Sequence, residues 1–434
     1  MTPRPAISRE FALLFAVMLT IAAGNTALQS VLPALGRSLG VADSAVAACF
    51  SVSALLWVIA APIWARRSDL HGRRAMILTG LGGYAVSLGT CGLFLAAGIN
   101  GWIAGSTAFA LFILGRLVYG AFGSAAPPAV QALVAGKTAH DERTRALTLL
   151  ASATGLGTIM GPAIAPFLKM GSLGGIEIGL AGPAFFACAL GIAMWIAVRG
   201  TLRRDSGYHE GHGAAASYPS IGGQSTGASV VAATAEGIEP VSVRDPRVRP
   251  WLSIGLVSGH AQAMTGQAIG FLVIDRLHLP PAQALEPTGL VLMMGAGAAL
   301  LVQWGLIPLF GLTPRRLVLT GLALAAAGTV LTGLATSLYS IAVAYALASM
   351  GFGFARPGYT AGASLAVGPA AQGSVAGKVT SINGASFVLG PSIGVGLYEV
   401  GHAIPYVAAG LACLATFALG WARLRDSFSP GGAS

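Results

Sequence analysis

Two arginines lie inside long apolar stretches of this sequence, where a charged side chain is energetically costly. Arg116 falls within residues 103–135 and Arg356 within residues 338–366. A charge at the centre of a bilayer costs about 2.5–3.5 kcal/mol on insertion scales, so such a side chain is expected to face a cavity and to have a partner. Each arginine is therefore a candidate for substrate binding or for a role in proton coupling. The alternative for each is a structural arginine that bonds backbone carbonyls.

His260 is a third ionisable group in an apolar stretch, about nine residues into residues 251–274. An imidazole titrates near neutral pH and can carry a proton. Met264 and Gln267 follow four and seven residues later, which places all three side chains on one helix face. His260 and Gln267 are therefore candidates for proton coupling or substrate binding. The alternative is a histidine that only packs and forms a hydrogen bond.

Carboxylates are missing from the centres of the apolar stretches. All 15 acidic residues fall in predicted loops, tails or helix ends, and Asp275 and Glu399 come closest to being embedded. The first stretch holds Asn25 and Gln29 instead, which are further candidates for substrate or proton binding. A neutral to positive interior favours neutral, zwitterionic or anionic small molecules over cations. Fewer than half of the following residues are expected to touch substrate: Tyr119, Gln262, Gln303, Trp304, Tyr345, Phe352, Phe354, Tyr359, Asn383 and Phe387.

The composition identifies the elements that must position these residues. Hydrophobic residues make up 55% of the 434 positions and charged residues only 9%, against roughly 25% charged residues in soluble domains. Many apolar runs reach the ~20 residues needed to span a bilayer, and they do not alternate as barrel strands do. We predict an all-α membrane protein with twelve transmembrane helices in two pseudo-symmetric six-helix bundles around a central cavity. The predicted spans are 11–35, 44–65, 75–98, 103–135, 146–168, 178–198, 251–274, 287–310, 316–336, 338–366, 374–398 and 402–422.

The distribution of basic residues predicts the orientation. With both termini in the cytoplasm, 20 of the 25 lysines and arginines lie on the cytoplasmic side, as the positive-inside rule requires. The net charge of +10 is therefore a topology signal, and a nucleic-acid partner is not expected. The first span begins like a signal peptide, but its apolar pattern continues to Leu35, so we expect it to be retained.

The chain divides into three predicted regions. Residues 1–199 form an N-terminal six-helix bundle, residues 200–250 a flexible cytoplasmic linker rich in Gly, Ala and Ser, and residues 251–434 a C-terminal six-helix bundle with a short cytoplasmic tail. Short sequences recur about 230–240 residues apart, as expected for two parallel repeats. The echoes pair Arg73-Arg74 and residues 77–80 with Arg315-Arg316 and residues 318–321, and residues 161–164 with residues 390–393.

The segment between the second and third spans resembles the signature loop of the major facilitator superfamily, G-x-x-x-D-R-x-G-R-R. Asp69, Gly72, Arg73 and Arg74 match, while Ala65 and Leu70 depart from the pattern. The resemblance implies that Asp69 holds the cytoplasmic side closed by meeting the eleventh span, where Lys378 or nearby backbone amides are our predicted partners. The alternative is a solvated turn whose basic residues only fix the topology.

Two further motifs resemble the twelve-helix drug:proton antiporter branch of that superfamily. Residues 116–120 resemble its R-x-x-x-G pattern, and residues 157–162 its G-x-x-x-G-P motif. The resemblance implies a role for Arg116 in proton coupling or substrate attraction. Small residues four apart let helices approach closely, so a gating or packing role is predicted for Gly157, Gly161 and Pro162, and for Gly390 and Pro391 in the second half.

We therefore predict a secondary transporter of a bacterial inner membrane that exports small organic molecules by proton antiport. It would use alternating access, need no metal or cofactor beyond the proton gradient, and act as a monomer in the lipid bilayer. One alternative is a dedicated exporter or uptake carrier of a single metabolite, such as an organic acid or a siderophore. A second is a non-transporting scaffold or sensor. The sequence holds no phosphate-binding loop or nucleophile motif in a suitable setting, so an enzyme is not expected.

Overall fold

A computed structural model of the chain describes residues 9–137, 140–203 and 240–424. Most of the predicted linker, residues 204–239, and the end of the tail therefore lie outside the described residues. The described chain is almost entirely helical, as predicted. The first half contains α1 (Arg9–Ser38), α2 (Asp43–His71), α3 (Arg73–Ile99), α4 (Gly105–Phe122), α5 (Ala126–Lys137), α6 (His140–Ile164) and α7 (Gly182–Thr201).

The second half contains α8 (Arg249–Leu277), α9 (Leu285–Leu300), α10 (Ile307–Phe310), α11 (Pro314–Leu334), α12 (Leu338–Leu365), α13 (Pro369–Val400) and α14 (Ile404–Arg423). A 3₁₀ turn, Gly123–Ala125, joins α4 to α5, and a π-helical segment, Leu301–Leu306, joins α9 to α10. Each of these pairs occupies one predicted span.

Ten helical segments among the described residues are long and apolar enough to cross a membrane. The protein is thus a multi-pass α-helical membrane protein, and its helices occupy all twelve predicted positions. Two long helices, α8 and α13, fall outside the ten segments. Both carry polar side chains along their length, including His260, Gln262 and Asn383. Because lipid-facing positions exclude such groups, polar residues in these helices are expected on surfaces that face protein or water.

The described chain forms two compact units. The first comprises residues up to Ala42 and from Val52 to 203, and the second comprises Asp43–Ser51 and residues from 240 onward. In the first unit α1 packs against α6 and α7, and α3 against α4 and α7. In the second unit α8 packs against α13 and α14, and α11 against α12 and α14. The two units therefore share one internal packing pattern.

A short β-hairpin follows α6 and was not predicted. Strands β1 (Met170–Leu173) and β2 (Ile176–Gly179) pair antiparallel, and the two residues between them, Gly174 and Gly175, have φ values of 59° and 85°. Two consecutive glycines with positive φ make the tight turn that a two-residue hairpin needs. Asn100 ties the hairpin to the end of α3, because its side chain bonds both the N–H and the carbonyl of Glu177 at 2.9 and 2.8 Å.

Candidate functional site

A polar cleft lies within the second unit, between α8, α12 and α13. The two helices with the weakest membrane-span character, α8 and α13, thus supply two of its three walls. Its lining combines hydroxyl, amide and guanidinium groups with two phenyl rings. The lining residues are Ser258, Gly259, Gln262, Phe352, Arg356, Tyr359, Asn383, Ser386 and Phe387.

Arg356 is the charged residue of this cleft. Its side chain is half-buried, and its guanidinium forms no hydrogen bond or ion pair within the described part of the chain. One turn later, the Tyr359 hydroxyl donates to Asn383 Oδ1 at 2.7 Å, which links α12 to α13. Helix α12 continues through Pro357, the residue after Arg356, to Leu365.

His260 adjoins the cleft through Ser386. Its Nδ1 lies 2.7 Å from the Leu256 carbonyl oxygen and 3.3 Å from Ser386 Oγ. Because a carbonyl only accepts, Nδ1 carries a hydrogen and donates to Leu256. The Nε2 atom is therefore left as the acceptor of the neutral ring. Met264 and Gln267, on the same helix face, are buried at 9% and 4% exposure.

Arg116 occupies a different environment in the first unit. Its side chain is only 2% exposed, and Nη2 donates to Asn25 Oδ1 at 2.8 Å. The guanidinium also lies 4.6 Å from the centre of the Tyr119 ring, a cation–π distance. Tyr119 in turn packs against Trp57 with ring centres 5.1 Å apart. The structure thus brings three predicted residues together in one cluster, while Gln29 lies half-buried one turn beyond Asn25.

The predicted glycine motif of α6 packs directly against α1. A methyl group at Gly157 would lie 2.6 Å from Ala22 Cβ, and one at Gly161 would lie 2.5 Å from the Ala23 carbonyl oxygen. Pro162 lies in the last turn of α6, and a 3₁₀ turn, Ala165–Leu168, follows the helix end.

The second unit repeats this close approach between α13 and α8. A methyl group at Gly390 would lie 2.5 Å from Ala263 Cβ, and one at Gly394 would lie 2.5 Å from Met264 Cα. Pro391 lies inside the continuous helix α13. Gly390 was predicted from the sequence, whereas Gly394 was not, although its spacing of four residues from Gly390 was the available signal.

The signature segment joins α2 to α3 and ties helices of the first unit together. Gly72 separates the two helices with φ 89° and ψ 144°, a backbone region that only glycine adopts readily. Arg73 is 2% exposed, and its Nη1 donates to the Ala132 carbonyl of α5 at 2.5 Å. Arg74 Nη2 donates to the carbonyl of Arg199, in the last turn of α7, at 2.6 Å. Both arginines therefore bond backbone carbonyls of neighbouring helices in the first unit.

The predicted latch between Asp69 and Lys378 is not tested by the described side chains. Asp69 belongs to the last turn of α2, but its side chain lies outside the described set. Lys378 is half-buried. Because α13 begins at Pro369, Lys378 lies more than two turns inside the helix, whereas the sequence placed it close to the helix start. The latch stays a prediction.

Several functional candidates were missed from the sequence. Ser258 and Ser386 line the cleft. They were missed because no motif or spacing in the sequence distinguishes them from other serines. At the other end of α8, the Tyr398 hydroxyl donates to Asp275 Oδ2 at 2.5 Å, and His402 Nε2 lies 3.6 Å from the same oxygen. The spacing of four between Tyr398 and His402 was the available signal for this cluster.

Comparisons with known proteins agree with this architecture. A family model described as Major Facilitator Superfamily matches residues 14–377. The chain is 23% identical over 391 residues to Multidrug resistance protein 2 of Bacillus subtilis (strain 168), covering 88% of this chain and 86% of that protein. It is 32% identical over 172 residues to the class G tetracycline resistance protein of Vibrio anguillarum, covering 39% of this chain but only 38% of that relative's length.

Solved transporter structures share the fold. A bacterial homologue of the human lysosomal transporter Spinster matches with a TM-score of 0.71 at 14% identity, over 99% of this chain and 100% of that one. The human organic anion transporter MFSD10 (TETRAN) matches with a TM-score of 0.64 at 19% identity, over 96% of this chain and 100% of that one. At these identities the likeness concerns the fold alone.

The family match fixes the class of protein. It covers most of the chain, and the relatives and structural neighbours are transporters or resistance proteins. The protein is a transporter rather than an enzyme, and it moves a small molecule across a lipid bilayer. The signature segment between α2 and α3 and the packing pattern that both units share agree with this match. The chain therefore belongs to the Major Facilitator Superfamily.

Proposed function

We propose that the protein exports small organic molecules of neutral, zwitterionic or anionic character in exchange for protons, by alternating access. Similarity to a multidrug resistance protein over 88% of the chain supports export. The observation that carries the charge preference is the composition of the interior. Among described residues the buried charged side chains are Arg73 and Arg116, and no buried carboxylate accompanies them.

The proposed proton pathway uses groups in both units. Arg116 is held against Asn25 and Tyr119, so its positive charge is fixed and can repel a proton from nearby groups. His260 has a ring nitrogen, Nε2, available for a proton beside the cleft. Asp275, with Tyr398 and His402, offers a carboxylate for protons at the far end of α8.

The arrangement in the membrane is part of the same proposal. The bundles 1–199 and 251–434 move against each other around the bound molecule, and residues 200–250 connect them. Both termini lie in the cytoplasm, the membrane is the inner membrane of a bacterium, and the monomer is the working unit. The distribution of lysine and arginine and the bacterial relatives support this placement.

A dedicated carrier of one anionic metabolite is the second candidate. The half-buried Arg356 in the cleft favours it, because a single charged group selects one class of substrate. A structural neighbour, the human organic anion transporter MFSD10 (TETRAN), has a name that says it moves anions. The two candidates differ in the breadth of compounds that they transport.

The test is accumulation of neutral, anionic and cationic compounds in a pump-deficient bacterial host. Cells with the protein, without it, and with an uncoupler are compared. Uncoupler-sensitive loss of several neutral or anionic compounds is expected. Export of one chemical family alone would favour the dedicated carrier, and preferential export of cations would contradict the proposed charge preference. No flux of any compound would overturn the export proposal.

A further inference from the structure

We propose that Arg356 forms a carboxylate-binding subsite contained within the second unit, which takes small aromatic or amphiphilic organic acids. This inference rests on the proposed function and deepens it, because it assigns a substrate class to one residue. The cleft that carries it is built by α8, α12 and α13.

The guanidinium of Arg356 is available to a ligand. It is half-buried on the cleft wall and has no hydrogen-bond or ion-pair partner within the described residues. None of the nine lining residues is acidic. A guanidinium presents paired N–H groups that match a carboxylate in a bidentate arrangement, and a partly desolvated site strengthens that interaction.

Neighbouring amides extend this set of donors. The Tyr359 hydroxyl donates to Asn383 Oδ1 at 2.7 Å, which fixes the orientation of the amide. The Asn383 NH₂ group is therefore left as a donor that has no protein partner among the described residues. Gln262 contributes a second amide to the lining. A cleft with one fixed positive charge and several N–H donors accepts an anion better than a neutral acceptor or a cation.

Two phenyl rings in the lining indicate that the rest of the ligand is apolar or aromatic. Phe352, at 5% exposure, and the half-buried Phe387 complete the lining beside the polar groups. Apolar and aromatic walls with a few convergent polar groups are typical of small-molecule sites. The carboxylate end of a ligand would meet Arg356, and its ring or chain would contact these two phenyl groups.

The experiment measures binding of a matched pair of fluorescent probes, 2-naphthoate and 2-naphthamide, to the purified full-length chain in nanodiscs. The two probes differ in charge but hardly in shape. The wild-type protein is expected to bind the carboxylate about tenfold more tightly than the amide. Arg356→Gln should weaken carboxylate binding about tenfold and leave amide binding unchanged, as expected for the loss of one charge-assisted hydrogen-bonding group.

Two further variants separate this role from a structural one. Arg316→Gln removes the same charge from an exposed residue of the same unit and should leave both affinities unchanged. Arg356→Lys keeps the charge but loses the bidentate geometry, so it should retain part of the carboxylate preference. Thermal unfolding of each variant shows whether the protein is intact.

Four results would overturn the subsite. They are equal binding of both probes to the wild type, an unchanged carboxylate preference in Arg356→Gln, an equal loss of both probes in that variant, and no binding of either probe at about 1 mM. The outcome is distinguishable from failure of the proposed function. Export of neutral compounds without a carboxylate preference would leave export standing, whereas Arg356-dependent carboxylate binding without export would leave only the subsite.

Discussion

The two units place an arginine in the membrane in opposite ways. Arg116 of the first unit is 2% exposed, donates to Asn25 and lies over the Tyr119 ring. Arg356 of the second unit is half-buried on the wall of a cleft, and the hydroxyl of its tyrosine neighbour, Tyr359, donates to Asn383. The same residue type on apolar helices thus has protein partners in one unit and is open to a ligand in the other.

The two arginines differ in their surroundings although the two units share one pattern of helix packing. In each unit a helix with glycines four apart packs against the first helix of that unit, α6 on α1 and α13 on α8. An arginine at the start of the third long helix also bonds the end of the last helix in both units. Arg74 bonds the Arg199 carbonyl, and Arg315 bonds the carbonyls of Leu424 and Trp421. The two units therefore share their helix packing and differ in the polar residues between the packed helices.

Removal of the buried arginine of the first unit is expected to affect both transport and stability. Arg116→Gln should abolish transport of neutral and anionic compounds alike, because the proposed role of Arg116 is coupling rather than selection. It should also lower the free energy of unfolding by about 1–3 kcal/mol, since a buried charge-assisted hydrogen bond to Asn25 is lost. Uncoupler-sensitive efflux and thermal unfolding in nanodiscs measure the two effects.

Arg356→Gln is the matched variant for that experiment, and it should affect anions alone. If Arg116→Gln lost only anion transport and kept neutral transport, the two arginines would share one role and the contrast between the units would disappear. Arg116→Lys tests whether a positive charge alone suffices for transport. We expect this variant to lack transport, because one ammonium does not reproduce the guanidinium geometry over Tyr119.

The helix packing that the two units share can be tested with two glycines of α13 that lie two residues apart. Gly394→Ala would place a methyl group 2.5 Å from Met264 Cα, whereas Gly396→Ala meets nothing within 4 Å. Overpacking should destabilise the first variant by about 1–3 kcal/mol, while alanine at the second should be neutral or slightly stabilising in a helix. Unfolding midpoints compare them, and equal midpoints would show that α8 and α13 do not pack as closely as described.

Gly72 distinguishes the first unit from the second at the start of their third long helices. In the second unit Thr313 precedes α11 and its side chain accepts from the Arg316 N–H at 3.4 Å. In the first unit Gly72 has φ 89°, so Gly72→Ala should cost about 1–3 kcal/mol of stability through backbone strain. Gly368→Ala, at φ −68° with open space around it, is the control and should melt like the wild type.

Much of the fold was predictable because the bilayer leaves few solutions. Long apolar runs must form helices to satisfy their backbone, so the helix positions followed from hydropathy. Gly72 was identified from the resemblance to the signature loop and Gly161 from the glycine motif. The structure supplies the physical reasons, a positive φ at Gly72 and a close approach of α1 at Gly161. The hairpin of β1 and β2 was missed because two four-residue strands between helices carry almost no sequence signal. The Gly174-Gly175 pair was the available signal for its turn.

The candidate site was predictable in residue type but not in pairing. Arg116, Asn25 and Tyr119 were each identified, yet their cluster depends on how α1 and α4 face each other, which no local pattern encodes. Arg356 and Asn383 were identified as well, but a sequence does not show which arginine has partners. Helix α12 continues through Pro357 because proline is tolerated inside membrane helices when surrounding groups satisfy the freed backbone.

The smallest expected effect concerns the surface charges of the two units. In the first unit Lys137 pairs with Glu10, whose side chains are 51% and 34% exposed. In the second unit Asp245 precedes α8, and Arg247 donates to its carboxylate from Nε, Nη2 and the backbone N–H. These hydrogen bonds, the side-chain ones foremost, hold the pKa of Asp245 below its ordinary value.

A carboxyl group with a lowered pKa in the folded state contributes stability above its unfolded pKa of about 3.9. That contribution is lost as the pH falls through the folded-state pKa, so the wild type should lose a little stability on the acid side of pH 4. Asp245→Asn should have a slightly lower unfolding midpoint at pH 7 and should lose less of it on acidification. Because this pair lies at the surface, with Arg247 exposed and Asp245 half-buried, solvent screening keeps the shift small. A variant with the wild-type pH profile would show that Arg247 contributes nothing to the stability of this unit through Asp245.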